Sequence, residues 1–177
     1  MLQTTQEDVS PVLVTVDFSA ASEEAVKLAV QLAGCSSRSL VVLHVAHDST
    51  QNPDRYRRRS EQEQILPIEE IAGIRLQEFM SRMRKAHLEN ETLLNAKVMV
   101  VSGLPETRIP EIARQAGAGL IVMGGHGRSS LSKLIGGSVS EKVIRHSAVP
   151  VTMIHLNAKA SKAGIVKAGG AEECQAG

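Results

Sequence analysis

The sequence predicts an α/β domain built on a parallel sheet, and three observations carry that prediction. Five short runs are rich in β-branched and other apolar residues without the apolar–polar alternation of half-buried strands. The segments between them include stretches whose apolar residues recur every three or four positions, the spacing of amphipathic helices. A helical crossover returns the chain in the same direction, so the strands it joins run parallel.

The first run, Val12-Leu13-Val14-Thr15-Val16, ends at Asp17 and reads as a strand buried on both faces. Ser19 can cap the helix that follows, in which Ala25, Ala29, Leu32 and Ala33 share a face and Gly34 supplies a stop. Leu40-Val41-Val42-Leu43-His44-Val45 repeats the buried-strand pattern. Residues 46–66 are polar, contain Pro53 and a charge cluster, and show neither period, so they read as a solvated loop insertion. From Pro67 to about Asn90 the residues Ile68, Ala72, Leu76, Phe79 and Met83 mark one long amphipathic helix.

Val98-Met99-Val100-Val101 is the third strand, and Gly103-Leu104-Pro105 turns the chain toward a helix with Ile109, Ile112, Ala113 and Ala116 inward. A proline inside a helix costs about 3 kcal/mol and one in the first turn is tolerated. Pro110 therefore places the expected start of that helix near Thr107 rather than Pro105. Leu120-Ile121-Val122-Met123 is the fourth strand, Ser138 to His146 a short helix, and Val149 to Ile154 the fifth strand. Residues 1–10 read as an N-terminal tail and 11–156 as the domain. Residues 157–177, rich in Ala, Gly and Lys, cannot offset their ordering entropy and read as a flexible tail.

A chain of 177 residues, 42% of them apolar, suits one domain with a substantial core. Cys35 and Cys174 stand far apart, which suggests neither a disulfide framework nor a zinc site and fits a reducing compartment. The stretch Met1 to Asp8 is polar and acidic rather than basic then apolar, so it does not read as a signal peptide, and no run approaches the roughly 18 apolar residues of a membrane span. The expected location is the cytoplasm. A net charge of +1 and 2% aromatic residues offer neither the basic field nor the stacking surface of a nucleic-acid binder.

The chemistry concentrates after the fourth strand, in Gly124-Gly125-His126-Gly127-Arg128-Ser129-Ser130-Leu131-Ser132-Lys133-Leu134-Ile135-Gly136-Gly137-Ser138. Glycines let backbone N–H groups approach a phosphate, and Gly137-Ser138 opens a helix whose N-terminal dipole favours an anion. Ser138 can add a hydroxyl donor, and Arg128 or Lys133 can supply charge. The same residues also fit a plain turn followed by a capping box, Ser138-x-x-Glu141. Gly-Lys never occurs, so this is no Walker A loop, and Gly125-x-Gly127-x-x-Ser130 lacks the third glycine of a dinucleotide fingerprint. The Gly-x-Ser-x-Gly of a nucleophile elbow is also absent, and no catalytic residue is assigned.

Gly124-x-x-Gly127, nine residues, then Gly137-Ser138, together with Asp17-Phe18-Ser19, Leu43-His44-Val45, Gly103-Leu104-Pro105 and Val149-Pro150-Val151, resembles the universal stress protein family in its ATP-binding branch, from about Pro11 to Leu156. The resemblance implies a single Rossmann-like (adenine nucleotide alpha hydrolase-like) domain. Its five-stranded sheet would have order 3-2-1-4-5 with helices on both faces. It also implies ATP, or AMP or ADP, between the first and fourth strands, and a homodimer through Val149 to Ile154. Asp17 and the main chain at Val45 would stand beside adenine or ribose, Met123 and Gly124 would line the base, and Gly127, Gly137, Ser138, Val139 and Ser140 would hold ribose and phosphates. Val16, Ser19 and Arg128 complete the implied binding set. Gly119 departs from the family, standing where an aspartate commonly precedes the fourth strand.

Other candidates have plainer readings. Asp17 alone fits a turn or cap. His44 and His47 would need a third ligand to hold a metal and otherwise read as structural or solvent-facing, and His126 can face either a phosphate or water. Arg55, Arg57, Arg58 and Arg59 around Tyr56 can dock an acidic partner or simply be solvated. The functional expectation is an ATP-binding regulatory or stress-response protein with a protein partner still to be identified. The alternatives are a slow ATPase, which would call for Mg²⁺ or Mn²⁺, and a nucleotide-free interaction module of the same fold.

Overall fold

The structure, a computed structural model, describes residues 9–47, 67–125 and 139–156. β1 (Val12–Thr15) leads into α1 (Ala20–Cys35). β2 (Leu40–Ala46) is followed by α2 (Ile68–Ala86) and the one-turn α3 (Glu91–Leu94). β3 (Lys97–Ser102), α4 (Pro105–Gln115), β4 (Leu120–Gly125), α5 (Val139–His146) and β5 (Val151–His155) complete the described elements. The insertion expected at 46–66 starts later than that, because Ala46 pairs with Ser102 and closes β2; residues 48–66 and both expected tails, save Val9 and Ser10, lie outside the described residues.

The sheet has the expected order β3-β2-β1-β4-β5, with every pair parallel. Successive side chains of a strand point to opposite faces, and here both faces are covered. Val12, Val14 and Val16 pack with Ala25, Ala29, Ala33, Leu76, Phe79 and Met80 under α1 and α2. Leu13, Leu43, Ile121 and Met123 pack on the other side with Ile109, Ile112, Ala113 and Val143 of α4 and α5. Burial on both faces is why the strands show no alternation.

Ser19 caps α1 as expected, its Oγ accepting from the Ser22 N–H at 3.2 Å. Ala25, Ala29 and Ala33 face the sheet, but Leu32 falls at the edge of that stripe and is 37% exposed. Gly34 does not stop the helix, which runs to Cys35. The reversal is made by Ser37, at φ 50°, with the Arg38 N–H reaching back to the Ala33 carbonyl at 2.9 Å. Two hydrogen bonds across the helix end, the second from Ser37 to Gly34, close it without a glycine at the left-handed position.

The helix expected to run to Asn90 ends at Ala86 instead. Asn90 begins α3, accepting from the Leu93 N–H at 3.0 Å, because a short amide side chain competes for backbone donors. α4 starts at Pro105 rather than near Thr107, with Pro105 in the first turn and Pro110 inside the helix. Pro110 forfeits one backbone bond, and burial of Ile109, Ile112 and Ala113 outweighs that loss. β5 begins at Val151 rather than Val149, and Pro150 contributes only its carbonyl, which accepts from the Ile121 N–H at 2.9 Å. The strand lies at a sheet edge, as a proline at its entry suggests.

α1 approaches β4 closely enough that a β-carbon on Gly124 would lie 2.6 Å from the Ala21 carbonyl carbon and 2.7 Å from the Ser22 nitrogen. Those atoms are helix backbone and cannot move aside alone. Gly124→Ala is expected to destabilise the fold by at least about 1–3 kcal/mol, the usual cost of overpacking. Urea denaturation of the two proteins, read by circular dichroism, measures the difference.

Candidate functional site

The strand order reverses at β1, whose neighbours are β2 and β4. In open parallel sheets the crevice for a ligand lies at such a point, beyond the carboxyl ends of the strands. Register pairs Thr15 with both Leu43 and Met123, so three strands reach this end at one level.

The exit from β1 is tightly specified. The Val16 N–H donates to the Leu43 carbonyl at 2.9 Å, and the Val16 carbonyl accepts from His44 Nδ1 at 2.6 Å. Phe18 adopts φ 65°. Its ring lies 4.4 Å from the imidazole of His44 and edge-on to Phe79 at 6.0 Å. Between these fixed residues, Asp17 Oδ1 accepts from the Ser19 N–H at 3.1 Å and from Ser19 Oγ–H at 2.5 Å. Ser22 N–H, Ser19 hydroxyl and Asp17 carboxylate thus form a relay at the N-terminus of α1, where the helix dipole favours negative charge. Ser19 has both a cap and a carboxylate to serve, and Asp17 makes the turn contacts its type favours.

The other described candidates are divided between the two faces of the sheet. Val16 and Val45 are buried, Val16 toward α1 and Val45 toward α4 and α5. Met123 is buried on the same face as Val45. Gly124 adjoins the first turn of α1. Val139, 41% exposed, and Ser140, nearly buried, open α5, which Val143 anchors to the core. Gly127, Arg128, Gly137 and Ser138, with His126, Lys133 and Arg55 to Arg59, lie outside the described residues.

The sequence leaves His44 between a structural and a metal-binding reading, and the structure places it in the core; a second feature escaped the sequence altogether. His44 is 1% exposed and engaged with Val16, which makes it part of the core. Its place in an otherwise apolar buried strand was the available signal. The second is an ion pair, Lys142 Nζ to Glu106 Oε1 at 3.1 Å, which ties the first turn of α5 to that of α4. No sequence signal links residues 36 apart. Partial burial pushes the Glu106 carboxyl upward, but a backbone N–H bond, the hydrogen bond and charge of Lys142 and the charge of His47 together hold it below the usual glutamate value. Among the described residues no three of His, Cys, Asp and Glu are grouped to hold a metal ion, and no helix is long and apolar enough to cross a membrane.

The model of the universal stress protein family matches residues 9–155. Universal stress protein MJ0577 of Methanocaldococcus jannaschii is 26% identical over 158 residues, 81% of this chain and 93% of that protein. Universal stress protein YxiE of Bacillus subtilis is 29% identical over 157 residues, 80% and 96% of the two chains. Among solved structures, universal stress protein UspA from Lactobacillus plantarum superposes with a TM-score of 0.58 at 25% identity, covering 82% of this chain and 97% of its own. A universal stress protein in complex with cAMP gives a TM-score of 0.58 at 26% identity, with the same coverage.

The tie between α4 and α5 has a pH signature. A carboxyl held below its unfolded value stabilises the fold above that value, and the contribution is lost as pH falls through the folded value. The pair is partly exposed, so Glu106→Gln is expected to cost no more than about 1 kcal/mol near neutral pH. That difference should vanish in acid, where the parent's carboxyl is also protonated. Paired urea melts at neutral and acid pH measure it.

Proposed function

This chain belongs to the universal stress protein family, and from that premise we propose that it is an ATP-binding regulator of the stress response, acting as a homodimer in the cytoplasm. AMP and ADP are the alternative ligands. The observation that carries this reading is the convergence of a carboxylate corner on β1 with the end of β4 at the reversal of strand order. The glycine-rich stretch leaves from the end of β4 and re-enters at α5, on the same end of the sheet. A carboxylate suits ribose hydroxyls or the adenine amine, whereas glycine N–H groups and a helix N-terminus suit phosphates. The cAMP complex of a structural relative supports an adenine nucleotide as the class of ligand.

In this reading Asp17, the main chain at Val45, Met123 and Gly124 face the nucleoside, and Val16 and Ser19 hold the corner. Gly127, Arg128, Gly137, Ser138, Val139 and Ser140 receive the ribose and phosphates. The output is a population shift: a ligand that prefers one arrangement of the loop favours it by its differential affinity, changing the surface offered to a partner protein. Mg²⁺ or Mn²⁺ would neutralise phosphate charge when bound.

Calorimetric titration with ATP tests the site. The parent is expected to bind, and Gly137→Val or Gly127→Val to abolish binding in a folded protein, because a β-carbon blocks the approach of phosphate to the backbone. Asp17→Ala should weaken ATP by about ten- to a hundredfold and leave tripolyphosphate unaffected. Full affinity in both glycine variants would end the phosphate assignment.

The assembly follows from β5. An edge strand carrying Val151, Met153 and Ile154 is a ready template for pairing, and a second copy about a two-fold axis would cover it. Val151→Lys or Met153→Lys is expected to give monomers that still bind ATP, because β5 is separated from the β1 crevice by β4. Analytical ultracentrifugation of parent and variants decides this.

A further inference from the structure

His44 touches the residues on both sides of Asp17. Its Nδ1 lies 2.6 Å from the Val16 carbonyl, and its ring stacks at 4.4 Å against Phe18. A carbonyl oxygen only accepts, so Nδ1 carries a hydrogen and donates it to Val16. Phe18 sits at φ 65°, a conformation that a bulky residue holds only where its surroundings over-determine it. Those surroundings are the imidazole of His44 and the ring of Phe79. Asp17 is therefore suspended between two residues that a single buried side chain, 28 positions from Val16, holds in place.

We infer that His44 is a positioning residue for Asp17: by holding the Val16 carbonyl and the Phe18 ring it sets the corner that presents the carboxylate, and so governs recognition of the nucleoside part of the ligand rather than its phosphates. The inference rests on the adenine-nucleotide reading above. It assigns His44 no contact with ligand. Its effect reaches the crevice through main chain and one aromatic neighbour.

Two isosteric replacements separate this role from mere core filling. The amide nitrogen of asparagine can occupy the place of imidazole Nδ1, whereas that of glutamine falls nearer Nε2 and leaves the Val16 carbonyl without its donor. Both lose the ring stacking equally. His44→Asn and His44→Gln are compared with the parent by amide hydrogen exchange at Ser19, whose N–H bonds the Asp17 carboxylate, and by titration with ATP and tripolyphosphate. In the glutamine variant exchange at Ser19 should quicken, and ATP should bind about tenfold or more weakly with tripolyphosphate unchanged. The asparagine variant, which keeps the donor to Val16 and loses only the ring contact, should lie between the parent and the glutamine variant on each measure. Equal behaviour of the two variants, or parallel loss of ATP and tripolyphosphate, overturns the inference. A parent that binds no adenine nucleotide removes the functional reading instead, and exchange at Ser19 alone then decides whether His44 holds the corner.

Discussion

β1 is hydrogen-bonded to β2 on one side and β4 on the other, and apolar layers cover both of its faces. A strand held this way cannot slip by one residue, since every side chain would change faces and every ladder bond would be re-made. The places of Val16, Asp17 and Phe18 follow from that constraint. The chain must leave the sheet immediately after Thr15, beside β4, and turn back over the α1 face. It does so through one left-handed residue and two side-chain contacts rather than through glycine, because Phe18 fills the space between His44 and Phe79.

The approach of α1 depends on absences as much as contacts. Alanines at positions 25, 29 and 33 bring the helix down onto the sheet, and Gly124 removes the atom that would strike its first turn. Gly124 therefore has a structural reason to be glycine, independent of any ligand. A larger residue there would lift the end of α1 where Ser19 and Ser22 pass hydrogen bonds to Asp17. Packing and the carboxylate's hydrogen bonding are thus coupled at the same turn of helix.

On the opposite face, Val143 buries α5 and Lys142 ties it to Glu106 of α4. The apolar contact supplies most of the stability and the ion pair supplies direction, since a half-exposed pair is weak. Both flanks of the glycine-rich stretch are thereby attached to rigid elements, β4 within the sheet and α5 on its neighbour. Sites built by loops on a rigid scaffold commonly have this arrangement.

The sequence by itself determined the class of fold, because doubly buried strands and three-to-four-residue helical spacing leave a direct mark on residue order. It also determined the Ser19 cap and the two strands whose ends meet, with the glycine spacing supplying the resemblance that implied the strand order. Where it erred, a local signal was outvoted by contacts distant in the chain or by a competing local bond. Pro110 reads as a reason to delay α4, yet burial of Ile109, Ile112 and Ala113 keeps it inside the helix. Gly34 reads as a stop, yet the hydrogen bonds of Ser37 and Arg38 close α1 later. Only the tertiary structure decided what His44, Glu106 and Lys142 do, because their partners lie 28 and 36 residues away and no local pattern encodes a contact over that distance.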